Sequence, residues 1–272
     1  MFVTSTFSIG DQDAPPITLS ALEFDVLWEH LRLDAMPLVV KVPSPGRTHE
    51  ERARLEARAW ADLEARGLGR PVEVNPVIEE ILGLLAKPAR EVDVRAYVGR
   101  NVRVLAAAAD NTAAVAELSD DVVTLRQVTE SGLPSAALAV LPPAPAGPGR
   151  SVTLPTADFE RAAKNAGRSR DDFGAALLEV GLRTDDAQAL TEMIKDVTRT
   201  GNFGAAARDR FGRRRRATRV VSYFDTEDGR YVQIRRAADD GTLWTTVSPA
   251  DMRKLTHHVT ELLDEIVAEA ER

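Results

Sequence analysis

The groups that titrate near neutrality are four histidines, His30, His49, His257 and His258, and none sits in a catalytic frame. His258 and Glu261 are three apart and would share one helix face, a spacing that suits two metal ligands, but no HExxH surrounds them and no third ligand is near. A surface helix pair is the plainer reading. Cysteine is absent, which removes thiolate metal sites, disulfides and cysteine nucleophiles together. Acidic doublets at Asp120–Asp121, Asp171–Asp172, Asp185–Asp186 and Asp239–Asp240 fall at turns or helix starts, where a carboxylate caps backbone N–H groups, so no paired-carboxylate site is needed to explain them. No G-x-S-x-G elbow, phosphate-binding loop or dinucleotide fingerprint occurs; the G-L-G at 67–69 lacks a third glycine and follows a helix. Arginine is the remaining concentration: Arg208, Arg210, Arg213, Arg214, Arg215, Arg216 and Arg219 with Asp209 carry a local charge of +6. Such a cluster can grip phosphate, but only Phe211 is interleaved with it, and pairing with the acidic remainder of the chain is favoured. These residues therefore point to no catalytic centre, no metal and no cofactor.

The elements that would position these groups follow from caps and periodicity. A capping box from Ser20 and Glu23 opens a helix bearing Phe24, Leu27, Trp28 and Leu31 on one face. The run LVVKV at 38–42 reads as a strand and PSPG at 43–46 as a turn. Thr48 and Glu51 open a second helix with Leu55, Ala59, Trp60 and Leu63, and Asn75 caps a third with Pro76 at its first position. From about 91 the period becomes two, and four strands joined by GRN, ADN and SDD form an antiparallel meander. A short helix at 133–141 and the linker PPAPAGPG at 142–149 end the first half. The second half opens three helices at Thr156, at the Ser169–Asp172 box and at Asp185 or Asp186. An arginine-rich link then leads to three strands, RVVSYF, RYVQIRR and LWTTV, and to a long closing helix after Pro249. Trp28 and Trp60 lie on apolar helix faces and belong to the core; Trp244 is on a strand and is a candidate for an interface.

Helices, strands and a closing helix thus occur twice. The expected fold class is α+β: two similar helix–antiparallel meander–helix halves related by a pseudo-two-fold, forming a central, mostly antiparallel sheet flanked by helices. Residues 1–16 are expected as a flexible arm and 17–272 as a single domain, with subdomains at 17–141 and 151–272 around the linker 142–150. The net charge of −7 over 272 residues excludes the global basic field of a dedicated nucleic-acid binder, and 44% hydrophobic content excludes wholesale disorder. The N-terminus has no basic residue before its apolar stretch and meets Asp11 and Asp13, so no export signal is expected. The most apolar stretch, 133–146, is short and broken by proline, so no bilayer span is expected either, and a cytoplasmic location is the default.

Three segments, 22–68, 201–232 and 243–255, carry a resemblance to a known family. Their most specific pieces are FDVLWEHL at 24–31, the DTEDGRY hairpin at 225–231 and VSPAD at 247–251. Over about 17–272 the chain resembles the EspG family of ESX (type VII) secretion-associated proteins of actinobacteria. The resemblance implies a cytoplasmic chaperone, without catalysis or cofactor, that binds the helical tip of PPE proteins in PE–PPE heterodimers, keeps them soluble and delivers them to the secretion machinery. It also implies a binding surface on the central sheet, on the loop between early meander strands and on the C-terminal helices. In this sequence the loop is Val98, Gly99, Arg100 and Asn101, and the late strand is Tyr231, Val232, Gln233, Ile234 and Arg235. Val232, Ile234 and Trp244 would supply apolar contact; Gln233, Arg235, Thr246 and Glu261 would fix orientation. The tight GRN turn is shorter than in many mycobacterial relatives, so a shorter PPE-like client is a second possibility. Two other classes stay open on sequence: a nucleic-acid-binding or regulatory module using Arg213 to Arg216, and a small-molecule enzyme with an unfamiliar site.

Overall fold

The computed structural model describes residues 15–167 and 170–272, so residues 1–14 of the expected arm and the expected Ser169 cap lie outside it. Ile17–Ser20 forms strand β1 and runs directly into helix α1, Ala21–His30. The Ser20 hydroxyl accepts from the Glu23 N–H at 3.2 Å and the Glu23 carboxylate accepts from the Ser20 N–H at 2.7 Å, a reciprocal box that satisfies two of the helix's orphan donors. Helix α2, His49–Ala65, is capped by Thr48, and α3, Pro76–Ala86, by Asn75; a small separate hairpin, β2 (Gly69–Arg70) and β3 (Glu73–Val74), lies between them. The strand expected at 38–42 does not form. Pro37 and Pro43 bracket the run and remove donors from it, and Val39, Val40 and Val42 instead anchor a loop in the core beneath α1 and α3.

The meander is β4 (Arg90–Tyr97), β5 (Asn101–Ala109), β6 (Thr112–Ser119) and β7 (Val122–Val128), followed by a single 3-10 turn and helix α4, Leu133–Leu138. Two of its hairpins turn on Asp110–Asn111 and Asp120–Asp121, all at positive φ, the conformation that favours Asn and Asp in two-residue turns. The second half runs β8 (Val152–Pro155), α5 (Thr156–Ala166), α6 (Arg170–Glu179), α7 (Thr184–Met193), β9 (Arg199–Arg208), β10 (Arg214–Arg216), β11 (Val221–Thr226), β12 (Gly229–Ala237), β13 (Leu243–Pro249) and α8 (Met252–Ala270). Strand β9 has no counterpart among the expected strands, yet it is the middle of the sheet. Its sequence, RTGNFGAAAR, is rich in glycine and alanine because large neighbours cross it. A Cβ on Gly201 would stand 2.7 Å from the Tyr223 ring and 2.8 Å from the Ala96 Cβ.

Among the described residues one antiparallel sheet holds eleven strands, in the order β1-β7-β6-β5-β4-β9-β11-β12-β13-β8 with β10 as a further partner of β9. Outward from the β4–β9 seam, each half contributes four strands and then, at the edge, the short strand with which it began. One sheet face is closed by α8 and α4 over Val92, Val94, Val104, Phe203, Tyr223 and Val232. The opposite face carries two separate apolar layers, α1 and α3 over β5 to β7, and α5 to α7 over β8 and the ends of β11 to β13. The proline segment between the halves is strapped down rather than loose. Arg230 N–H donates to Pro145 O at 2.8 Å, Gly147 N–H to Arg230 O at 3.0 Å, Arg230 Nη2 to Pro142 O at 2.8 Å and Tyr231 Oη to Pro148 O at 3.1 Å. Arg230 and its partner Asp225 are 0% and 1% exposed, which makes their bidentate pair a fully buried one.

Candidate functional site

Strand alternation divides the residues nominated from sequence between opposite faces of the sheet. Val232 and Ile234 point to the α8 side, and the register Ile234↔Thr246 and Arg236↔Trp244 puts Thr246 and Trp244 there too. Tyr231, Gln233 and Arg235 point to the other side. Two nominations are corrected by burial: Val232 is 0% exposed within the core under α8, and Tyr231 is 1% exposed, stacked on Phe224 with centroids 5.2 Å apart. Neither presents surface to a partner, because each closes the layer it faces. Trp244 is 38% exposed at the outer end of β13, and Thr246 shares a 2.8 Å hydroxyl contact with Thr153 on β8.

Glu261 is held within its own fold. Arg236 Nη2 donates to it at 2.7 Å, His258 Nδ1 lies 2.9 Å away and His257 Nε2 3.5 Å away. Burial alone would raise its pKa, but the hydrogen bond from His258 and the charges of Arg236 and the histidines outweigh that and hold it below the ordinary glutamate value. The His258–Glu261 pair is therefore an ion-pair network tying α8 to β12. Among the described residues no group of three His, Cys, Asp or Glu side chains is placed to hold a metal.

The arginine concentration is accounted for in the same way. It folds back as β10 against β9, and Arg214 Nε donates to Glu91 at 2.9 Å, Arg216 Nη2 to Asp93 at 3.0 Å and Arg215 Nε to Asp209 at 3.1 Å. Arg219 Nε donates to Glu265 at 2.9 Å, and Arg208 to the carbonyls of Pro88 and Gly212. Backbone N–H bonds from Arg213 and Phe211, together with Arg215, hold the Asp209 carboxyl below its usual range, and the Asp93 hydrogen bond raises Arg216 against the opposing effect of burial. Arg210 and Arg213 lie 4.9 and 5.9 Å from the centre of the Phe211 ring.

What the strands leave open is a floor between the two apolar layers of the second face. Neither layer draws a buried residue from β4 or β9 on that side. Arg103, Arg95, Asn202, Ser222 and Gln233 stand in register on β5, β4, β9, β11 and β12, a lateral polar row of about 19 Å at ordinary strand spacing. Toward one end lies Tyr97, 46% exposed, beside Thr200 and the turn of Val98, Gly99, Arg100 and Asn101. Gly99 takes φ +93°, which lets the chain reverse in three residues, and Arg100 reaches Glu117 at 3.4 Å. At the other end the floor deepens into a cavity of about 540 Å³ lined by the 34–39 loop, Leu85, Pro88 and the Glu91 and Asp93 ion pairs. Arg235, bonded to Glu160 of α5 at 2.9 Å, marks the far wall. Of the nominated residues, Gln233, Arg235 and Asn101 share this face; Val98, which packs against the α4 and α8 layer, Gly99 and Arg100, which line a pocket with the end of α4, and Ile234, Trp244, Thr246 and Glu261 do not. Arg95, Arg103, Tyr97 and Asn202 escape the sequence reading, although the polar positions of the 91–105 alternation carry the first three.

The fold and this floor define an α+β protein with an exposed polar sheet face framed by helices. Residues 20–261 match the model of the EspG family, and the chain belongs to that family. Among solved structures it shares its fold with EspG5, a type VII secretion system chaperone of Mycobacterium tuberculosis determined in complex with a PE25–PPE41 dimer. The TM-score is 0.73 at 18% identity, over 92% of this chain and 96% of that one. Direct sequence comparison with curated proteins gives no match.

Proposed function

We infer that this chain is a cytoplasmic chaperone of a type VII (ESX) secretion system, binding the helical tip of a PE–PPE-like heterodimer, or of a shorter PPE-like client, until it is secreted. The observation that carries the reading is membership of the EspG family, supported by a fold shared with EspG5, which was captured on its PE25–PPE41 client. A holdase of this kind needs a preformed surface and no chemistry, and the reading assigns the chain no catalysis. The open floor with Asn101, Gln233 and Arg235 is the surface favoured for the client, since it is uncovered and framed by the α5 to α7 helices, and the rest of the 98–101 turn lies at its rim. Residues 17–272 act as one domain in this reading. The absence, among described residues, of a helix long and apolar enough to cross a membrane is compatible with it.

The test is coexpression with the PE- and PPE-like proteins encoded beside the gene, followed by size-exclusion chromatography with light scattering. The expected mass is that of one chain with one heterodimer. A chain that elutes alone with every such candidate would overturn the reading.

A further inference from the structure

Arg95 and Arg103 stand directly opposite each other on β4 and β5, and both point to the open floor, because their neighbours Val94 and Val104 are buried on the α8 side. Side chains so placed have Cβ atoms about 5 Å apart, and like charges at that position repel. The other arginines around this floor are answered: Arg214 by Glu91, Arg216 by Asp93, Arg208 by Pro88 O and Arg235 by Glu160. Glu91 and Asp93, the carboxylates that share the floor with Arg95 on β4, are occupied by those bonds. Among the described residues Arg95 and Arg103 make no hydrogen bond and no ion pair. Their neighbours add donors rather than acceptors. Ser222 donates to Asn202 Oδ1 at 2.6 Å, which leaves the Asn202 amide N–H₂ without a partner among the described residues.

We propose that Arg95 and Arg103 form a receptor for a carboxylate side chain of the client, so that the tip which docks on this floor carries an Asp or Glu. The proposal rests on the chaperone reading above. Two adjacent guanidinium forks supply a bidentate grip and a second charge-assisted bond to one carboxylate, and the bound anion removes the repulsion that the free protein carries. The pair therefore works against the free fold and for the complex, which separates it from a structural ion pair.

The experiment uses the full chain and the PE–PPE-like heterodimer that copurifies with it. Affinity is measured for wild type, R95A, R103A and R95E/R103E at 50 and 500 mM NaCl, and melting temperatures are measured for these free proteins and for R95E. The double reversal is expected to weaken binding by at least about tenfold, and the alanine variants to show a smaller salt dependence than wild type. Free R95E, which sets a carboxylate opposite Arg103, is expected to melt about 1–3 °C higher than wild type. Wild-type affinity in all three variants, with the client still bound, overturns the proposal and leaves the chaperone reading standing. Lower melting of R95E together with weaker binding also overturns it, since the pair would then be structural. Inorganic phosphate that binds the free chain through these arginines, with client affinity unchanged by their loss, assigns the pair to a free anion and overturns it as well. A wild-type chain that binds no PE- or PPE-like protein overturns both readings.

Discussion

The β10 hairpin and the Arg95–Arg103 pair lie along the same seam of the same sheet, yet they use arginine in opposite ways. The hairpin holds the densest positive charge in the sequence, and its members Arg214, Arg215 and Arg216 each meet a carboxylate inside the fold. The pair is two single residues, eight apart in an unremarkable stretch, which a three-residue turn brings face to face with no carboxylate bonded to them among the described residues. Charge density along a chain therefore says little about which charges are available. Strand register decides it, because register fixes which side chains become neighbours.

The comparison sharpens most at the arginine buried deepest. Replacing Arg230 with Ala leaves buried Asp225 with only Arg199, 3.9 Å away, and removes the side-chain bond to Pro142 from the proline strap, so unfolding free energy from urea titration should fall by about 3 kcal/mol. A loss below about 1 kcal/mol would show that internal pairing is not what these arginines do. Next in size, R216A strips Asp93 of its partner beside the seam. With the arginine side chain 41% exposed and Asp93 10% exposed, the expected loss is about 1 kcal/mol after screening, with the client still bound. Smaller again is R210S/R213S, which removes only exposed charges stacked near Phe211; stability should move by less than about 0.5 kcal/mol. The hairpin should not bind duplex DNA at 50 mM salt, and binding that disappears on replacing Arg213 to Arg216 with Ser would break the comparison outright.

The smallest effect is a pH dependence. Glu261 titrates below its ordinary value in the folded chain, so the stability it contributes is fully present above about pH 4.5 and is lost as pH falls through the lower folded value. Urea titrations between pH 6 and pH 3 should show E261Q losing about 0.5 kcal/mol less than wild type over that range.

Much of the scaffold is legible in the sequence because its signals are local. Ser20, Thr48 and Asn75 cap the helices they announce, and the 91–128 alternation becomes the expected meander. The failures have a common cause in context. The valines at 38–42 have β-forming side chains but prolines at both flanks, and they pack as a loop. Strand β9 has weak β propensity, since glycine and alanine fit the crossing of Tyr223 and Ala96, and only its neighbours make it a strand. The site was harder still. Alternation separates Val232 from Gln233 but does not tell which parity a helix will cover, so the sequence alone nominates residues from both faces. Arg95 and Arg103 read as two solvent positions until the turn at Gly99 sets the pairing Tyr97↔Asn101 and, with it, everything further along the two strands.

The proline segment strapped across the β11–β12 hairpin has a consequence for how the chain comes apart. It and the β4–β9 seam both join the first half to the second, one through four hydrogen bonds and the other through a full-length strand pairing. Neither half can melt without exposing the other's central strand, so the chain should lose structure in a single transition. A protease that severed the backbone near Gly149 would leave two fragments that stay together and elute as one particle.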